Sequence, residues 1–425
     1  MRTPAPLRHL IALCVLLAVA ACATAAPSAS VPASGELKLE RVVMLMRHGV
    51  RPPTRAVVAP EGVADRPWPT WSVDYGLLTR HGYDAVRLLG VWDRANWAER
   101  GLLPASGCLG PDVIQAAASS KSRTQVTARA LVEGMAPGCD IPVVFPATPE
   151  ADVEFHPVEA GVMPIDGEEA ARAVEALAPA GGMAAEVQRQ AELLDLIQRA
   201  LGCCAPVYCA DKGLPAGCSL RDVRPGVVRN ENDRPDVGEP FGMVSTVSQT
   251  FLLEYLEGMP MSDVAWGRLT REEISRLLEL NTLKFRYEGH APYVATRTAS
   301  PLMRRMLNAM LDGPKLTVLV GHDTNISDLG GGLLGLHWQV PSYPVDSPPP
   351  GGALGFEVLS DATGARFVRA FYRAQSMDQV RYLQPLTDAN PASYEYLPIP
   401  GCETPCRLET FEGLVRGRLV ESVAR

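Results

Sequence analysis

The stretch Val42-Val43-Met44-Leu45-Met46-Arg47-His48-Gly49-Val50-Arg51-Pro52-Pro53-Thr54 changes character within two residues. Five apolar side chains follow one another without a polar interruption, the pattern of a parallel strand buried on both faces. They end abruptly in arginine, histidine and glycine, where a loop takes over. Leu316 to Val320 repeats the pattern and ends in Gly321-His322-Asp323-Thr324-Asn325. A third run, Val113 to Ala118, stops just before Ser119 to Arg123 and a helix-like stretch carrying Val126, Ala130 and Leu131. In open α/β sheets, ligands bind outside the carboxyl ends of the strands, and all three runs deliver polar residues there. The fold class read from them is α/β, with a mostly parallel central sheet flanked by helices.

Arg47 and Arg51 set two guanidinium groups around His48 immediately after a strand. Arginine offers planar, permanently charged forks that match phosphate oxygens, so the pair can clamp a phosphoryl group against the ring. Gly49 is expected to let the backbone approach the anion, and Pro52-Pro53 to stiffen the loop. The flanking positive charge is expected to lower the imidazole pKa and keep the ring nucleophilic below neutrality. A lone His-Asp pair is commonly a turn. After a buried strand and a glycine, His322-Asp323 reads instead as a site pair in which Asp323 supplies the proton that an alkoxide leaving group needs. Arg80-His81-Gly82 copies three letters of the first motif but follows no apolar strand and has Asp84 in place of the second arginine. His81 therefore reads as structural, and the same is expected of His156, His290 and His337.

The chain of 425 residues exceeds what one hydrophobic core usually supports, so two domains are expected. Val187, Ala191, Leu194, Ile197 and Leu201 recur at helical spacing before Gly202. Thr270 with Glu273 forms a capping-box pattern ahead of Ile274, Leu277 and Leu278. These place a mainly helical inserted cap at 164–288, between the two parts of an α/β domain at 36–163 and 289–425. Pro341 to Gly352 is too rich in proline and glycine for regular structure.

Arg2 and Arg8, an apolar run from Leu10 to Ala21 and small residues beyond it have the layout of a secretory signal peptide spanning 1–22. Val19-Ala20-Ala21-Cys22 also fits a bacterial lipobox, which would make Cys22 a lipid anchor; ordinary cleavage within Ala23 to Ala26 is the other reading. Removing the two arginines leaves 38 basic against 48 acidic side chains, a net charge of −10 rather than −8. That argues against nucleic acid as a partner, so an anionic substrate must be held by locally clustered arginines. Cys14 and Cys22 aside, eight of the 10 cysteines remain, which fits an oxidising compartment. Short spacings point to Cys209 with Cys218, Cys402 with Cys406 and Cys108 with Cys139, leaving Cys203 and Cys204 side by side. No paired CxxC or HExxH spacing is present, so neither zinc nor another cofactor is expected.

Arg47-His48-Gly49-Val50-Arg51-Pro52-Pro53 and His322-Asp323 together resemble the signature of the histidine acid phosphatases, Arg-His-Gly-x-Arg-x-Pro followed by a His-Asp pair. The resemblance runs from about Leu37 to Cys406 and is nearest to bacterial periplasmic phytases and glucose-1-phosphatases. It implies a metal-independent phosphate monoesterase, working at acid pH through a phosphohistidine on His48, with Asp323 as proton donor. Arg47, Arg51, Arg123 and His322 would bind the transferred phosphate, with Thr54 adding a hydroxyl. Arg55, Gln249 and Arg297 are further substrate contacts; Gln249 stands where the nearest phytases place a glutamate. Met163 stands at a family cysteine position. The resemblance further implies phytate as substrate, glucose 1-phosphate or a broader range of esters as the alternative, and a monomer in the periplasm or medium. A phosphosugar mutase could share the chemistry, but the leader, the expected disulfides and the His-Asp pair disfavour it. A non-catalytic binding lipoprotein is disfavoured because every expected catalytic residue type is present.

Overall fold

The computed structural model describes residues 37–422 except Asn232. The leader and Cys22 therefore lie outside the described residues. In chain order the elements are β1 (Lys38–Arg47), α1 (Arg80–Glu99), β2 (Ile114–Ala118), α2 (Ser122–Met135), β3 (Val143–Val144), α3 (Gly167–Glu175), α4 (Gly182–Arg189), α5 (Ala191–Leu201) and α6 (Pro206–Asp211). They continue through β4 (Val227–Val228), β5 (Asp236–Val237), α7 (Phe241–Leu256), α8 (Arg271–His290), α9 (Pro292–Asp312), β6 (Leu316–Gly321) and α10 (Asp323–Ser327). The last are β7 (Ala353–Ser360), β8 (Arg366–Ala374), α11 (Met377–Arg381), β9 (Ser393–Leu397), β10 (Cys406–Arg407) and α12 (Leu408–Arg416).

The chain is an α/β protein whose central sheet runs β10-β8-β7-β1-β6-β2-β3, with β9 also paired to β8. The half that carries the three apolar runs is parallel: β1 with β6, β6 with β2, and β2 with β3. β7, β8, β9 and β10 extend it antiparallel. Alternate residues of β1 go to opposite cores, which is why the strand shows no polar alternation. Val42, Met44 and Met46 pack with Val86 and Leu89 of α1 and Leu131 of α2. Val43 and Leu45 join the larger core that includes helices α7, α8 and α9. β6 lies between β1 and β2 although it follows both by a long stretch of chain, so their carboxyl ends converge on one place.

Glycine makes the approach of α1 to β1 close. A Cβ on Gly49 would sit 3.0 Å from the Gly82 carbonyl and from Val86, and one on Gly82 would sit 2.4 Å from the Val50 carbonyl. Gly49 thus serves helix packing. The copied motif at Arg80 is explained the same way: it opens α1 against the first loop. His81 is within hydrogen-bond distance of the Val380 carbonyl at 2.8 Å, in keeping with a structural role.

Residues 167–290 contribute α3 to α8 and the ribbon β4–β5. The helical spacing read across Val187 to Leu201 is interrupted at Gln190, whose φ of −95° and ψ of 12° separate α4 from α5. Gly202 closes α5 in the left-handed conformation, which favours glycine. Thr270 and Glu273 form the expected capping box on α8. Cys108–Cys139, Cys209–Cys218 and Cys402–Cys406 are disulfides, and the adjacent Cys203 and Cys204 are joined to each other. Met163 is buried among Ala160, Val162 and Val158.

The proline-rich segment before β7 is irregular and braces the end of β1. Arg47 donates to the Pro348 carbonyl at 2.6 Å, and the Gly351 amide donates to the His48 carbonyl at 3.2 Å. Arg373 of β8 supports that brace by donating to the Gly351 carbonyl at 2.9 Å while pairing with Asp93 of α1 at 2.6 Å, both side chains fully buried.

Candidate active site

Arg47 ends β1, His48 and Arg51 follow in the loop, Arg123 lies in the first turn of α2, and His322 caps the helix α10 that Asp323 begins. The structure brings all six together. Arg47 pairs with Asp323 at 2.8 Å, Arg51 Nε points at His48 Nε2 from 3.4 Å, and Arg123 approaches His322 Nδ1 at 3.4 Å. The His48 and His322 rings meet edge to face, 5.6 Å between centroids. His48 Nδ1 is 2.8 Å from the Gly49 carbonyl, an acceptor only, so that nitrogen carries the proton and Nε2 presents a lone pair.

Burial, followed by the charges of Arg51, Arg123 and Arg47, holds the His48 pKa well below its ordinary value. Dehydration outranks the flanking charges emphasised from sequence. For Asp323 burial works upwards, but Arg47 and Arg51 outweigh it, and the carboxyl lies below its ordinary pKa. His322 is likewise kept neutral by burial and by Arg123. Three guanidinium groups facing one carboxylate leave an excess of positive charge, the electrostatics of an anion clamp.

A cleft of about 210 Å³ opens from this cluster and is lined by Arg51, Thr54, Arg55 and Asp323 on one side and by Gln249, Asn281 and Lys284 of α7 and α8 on another. Arg297 does not line it. Its guanidinium stacks on Tyr293, 3.6 Å from the ring centre, and donates to the Tyr293 carbonyl, so that suggested contact is corrected. Lys284 and Asn281 were not singled out from sequence: on α8 they look like ordinary polar positions, and Lys284 has an i,i+4 partner in Glu288 at 2.6 Å. His156, expected to be structural, stands 3.2 Å from His322. No local pattern signals either approach.

A profile of the histidine phosphatase superfamily (branch 2) matches residues 38–194. The phytase AppA of Escherichia coli (strain K12) is 32% identical over 396 residues, 88% of this chain and 90% of that protein. The glucose-1-phosphatase of Salmonella typhimurium is 31% identical over 422 residues, 94% and 98% of the two chains. Among solved structures, Hafnia alvei phytase in complex with tartrate matches with a TM-score of 0.85, and in complex with myo-inositol hexakis sulphate with 0.84. Both are 32% identical and cover 91% of this chain and 98% of that one. Fold and site define a phosphoric monoester hydrolase. Within that class the chain belongs to the histidine phosphatase superfamily (branch 2).

Proposed function

We propose that this chain is an exported acid phosphatase that hydrolyses phytate by double displacement. His48 Nε2 attacks the phosphorus, the ester P–O bond breaks, and Asp323 protonates the departing alkoxide. Water then attacks the phosphohistidine and gives its proton to Asp323, releasing phosphate and restoring His48. Arg47, Arg51, Arg123 and His322 hold the transferred oxygens, with Thr54 at the rim. Positioning and charge stabilisation of this kind carry most of phosphoryl-transfer catalysis.

The observation that carries the choice of phytate is the extension of the cleft past the clamp to Arg55 and Lys284. Among the described residues Arg55 has no ion-pair partner, and Lys284, paired with Glu288 at 2.6 Å, is a second basic side chain on the approach. An ester bearing several phosphates uses them, whereas a singly phosphorylated sugar does not. The Hafnia alvei relative, solved with an inositol hexakis sulphate, supports the same substrate shape. The glucose-1-phosphatase relative motivates the competing reading. The deciding measurement is kcat/KM for phytate against glucose 1-phosphate. Phytate should be preferred, and Arg55→Ala with Lys284→Ala should weaken phytate turnover about tenfold while sparing nitrophenyl phosphate. A preference for glucose 1-phosphate that survives both substitutions overturns the phytase reading.

Because guanidinium groups supply the charge, activity is expected to survive excess chelator. Loss with chelator and recovery only on adding a metal ion would contradict this mechanism. Four disulfides are in keeping with an oxidising compartment such as the periplasm. No helix of the described residues is long and apolar enough to cross a membrane. Cys22, where lipid attachment is the alternative to ordinary cleavage within Ala23 to Ala26, belongs to the segment outside them.

A further inference from the structure

One nitrogen of His322 is crowded by two groups outside the clamp. Its Nε2 lies 3.2 Å from Nε2 of His156 and 3.1 Å from Oγ of Ser119. Two ring nitrogens at that distance share one proton. His156 is backed by carboxylates: Nδ1 is 3.4 Å from Glu159, and Nε2 is 3.9 Å from Asp152. Asp152 is fully buried and fixed by the amides of Ser120 at 2.7 Å and Phe155 at 3.2 Å. Thr124 donates its hydroxyl proton to the Lys121 carbonyl at 2.7 Å and so can accept that of Ser119 at 2.9 Å. The Ser119 hydroxyl can turn either to Thr124 or to His322, so it accepts from a protonated His322 Nε2 and donates to a bare one.

The tautomer of His322 depends on what its neighbour carries. When His156 is neutral, its proton on Nδ1 serves Glu159 and its Nε2 is a lone pair. His322 then donates from Nε2, and its Nδ1, the nitrogen 3.4 Å from Arg123, faces the clamp without a proton. A lone pair there repels a phosphoryl oxygen. When His156 is an imidazolium, its Nε2 donates to His322 Nε2 and the proton of His322 must sit on Nδ1, aimed at the clamp. His322 takes no second proton, since burial and Arg123 oppose it. The charged groups around the pair are Asp152 and Glu159 on one side, Arg123, Arg51 and Lys121 towards His322, and Lys121 and Arg234 near Glu159.

We propose that His156 is a positioning residue: protonated between the carboxylates of Asp152 and Glu159, it holds His322 in the tautomer that donates to the bound phosphoryl group. The inference rests on the phosphate-clamp reading above and adds to it a pH-sensitive relay outside the clamp.

The test is calorimetric binding of inorganic phosphate to wild type, His156→Phe and His156→Gln across the titration range of histidine, about pH 5 to 8. Wild-type affinity should fall from about pH 5 to about pH 8. His156→Phe removes the donor and should bind phosphate about tenfold more weakly at acid pH, with a flatter pH dependence. His156→Gln keeps a donor amide at every pH, so its affinity should hold into the neutral range, and kcat/KM should follow. Where His156→Phe does not fold, the glutamine variant decides alone. A glutamine variant with the wild-type pH dependence, or a phenylalanine variant with wild-type affinity, overturns the relay. Wild-type protein that binds no phosphate overturns the clamp and the relay with it.

Discussion

Replacing His48 by alanine is expected to lower turnover of every phosphate monoester by more than about 10⁴-fold, because the surrounding guanidinium groups bind the anion but cannot form the covalent intermediate. The fold should survive. His48 is buried, and its folded pKa is depressed below the unfolded one. The stability it contributes is therefore complete above about pH 6.5 and is lost as pH falls, because the unfolded chain gains the proton first. The alanine variant lacks that loss, so its melting temperature should decline less than that of wild type between neutral and acid pH. Acid quenching of wild type during turnover should trap phosphate on histidine. Native-like activity in His48→Ala would remove the nucleophile from the mechanism.

Replacing Asp323 by asparagine is expected to cost about 10²–10⁴-fold on phytate, the usual worth of general acid help, and much less on nitrophenyl phosphate. Nitrophenolate leaves without a proton, whereas an inositol alkoxide does not. In the free enzyme burial raises the Asp323 pKa, but Arg47 and Arg51 more than offset it and the group titrates below the ordinary carboxylate range. A bound phosphoryl group brings negative charge and occupies the same guanidiniums, so the pKa rises in the complex. His48 stays neutral well into the acid range. The two required protonation states overlap on the acid side of neutrality, and kcat/KM should fall in both directions from there. Equal losses on both substrates would count against Asp323 as the acid, and an optimum above about pH 8 would contradict the protonation scheme.

The site was legible where chemistry follows a strand without delay. Arg47-His48 and His322-Asp323 each succeed an apolar run that is buried on both faces, and burial of that kind leaves no polar alternation to confuse the reading. The antiparallel half was harder. All eight residues of β7 are buried, yet Gly355 and Glu357 interrupt its apolar run. Glu357 is tolerated there because Arg100 and Arg369 meet it at 2.5 Å and 2.9 Å, partners that only the fold supplies. The packing role of Gly49 was hidden for a related reason, since atoms that exclude a side chain belong to α1. His156 and Lys284 carry no local pattern; what distinguishes them is distance to residues remote in the chain.

The placement of β6 between β1 and β2 also governs when activity first exists. Val42 finds its parallel neighbour Leu316 only after most of the chain has been made, and Ala116 pairs with Val318 of the same late strand. Pairings between such distant segments carry a high loop-closure cost and form slowly. An emerging chain that already holds Arg47, His48, Arg51 and Arg123 has neither Asp323 to protonate a leaving group nor the strand that sets the two halves of the clamp side by side. On the proposed mechanism, hydrolysis therefore requires the late strand to be in place between two early ones.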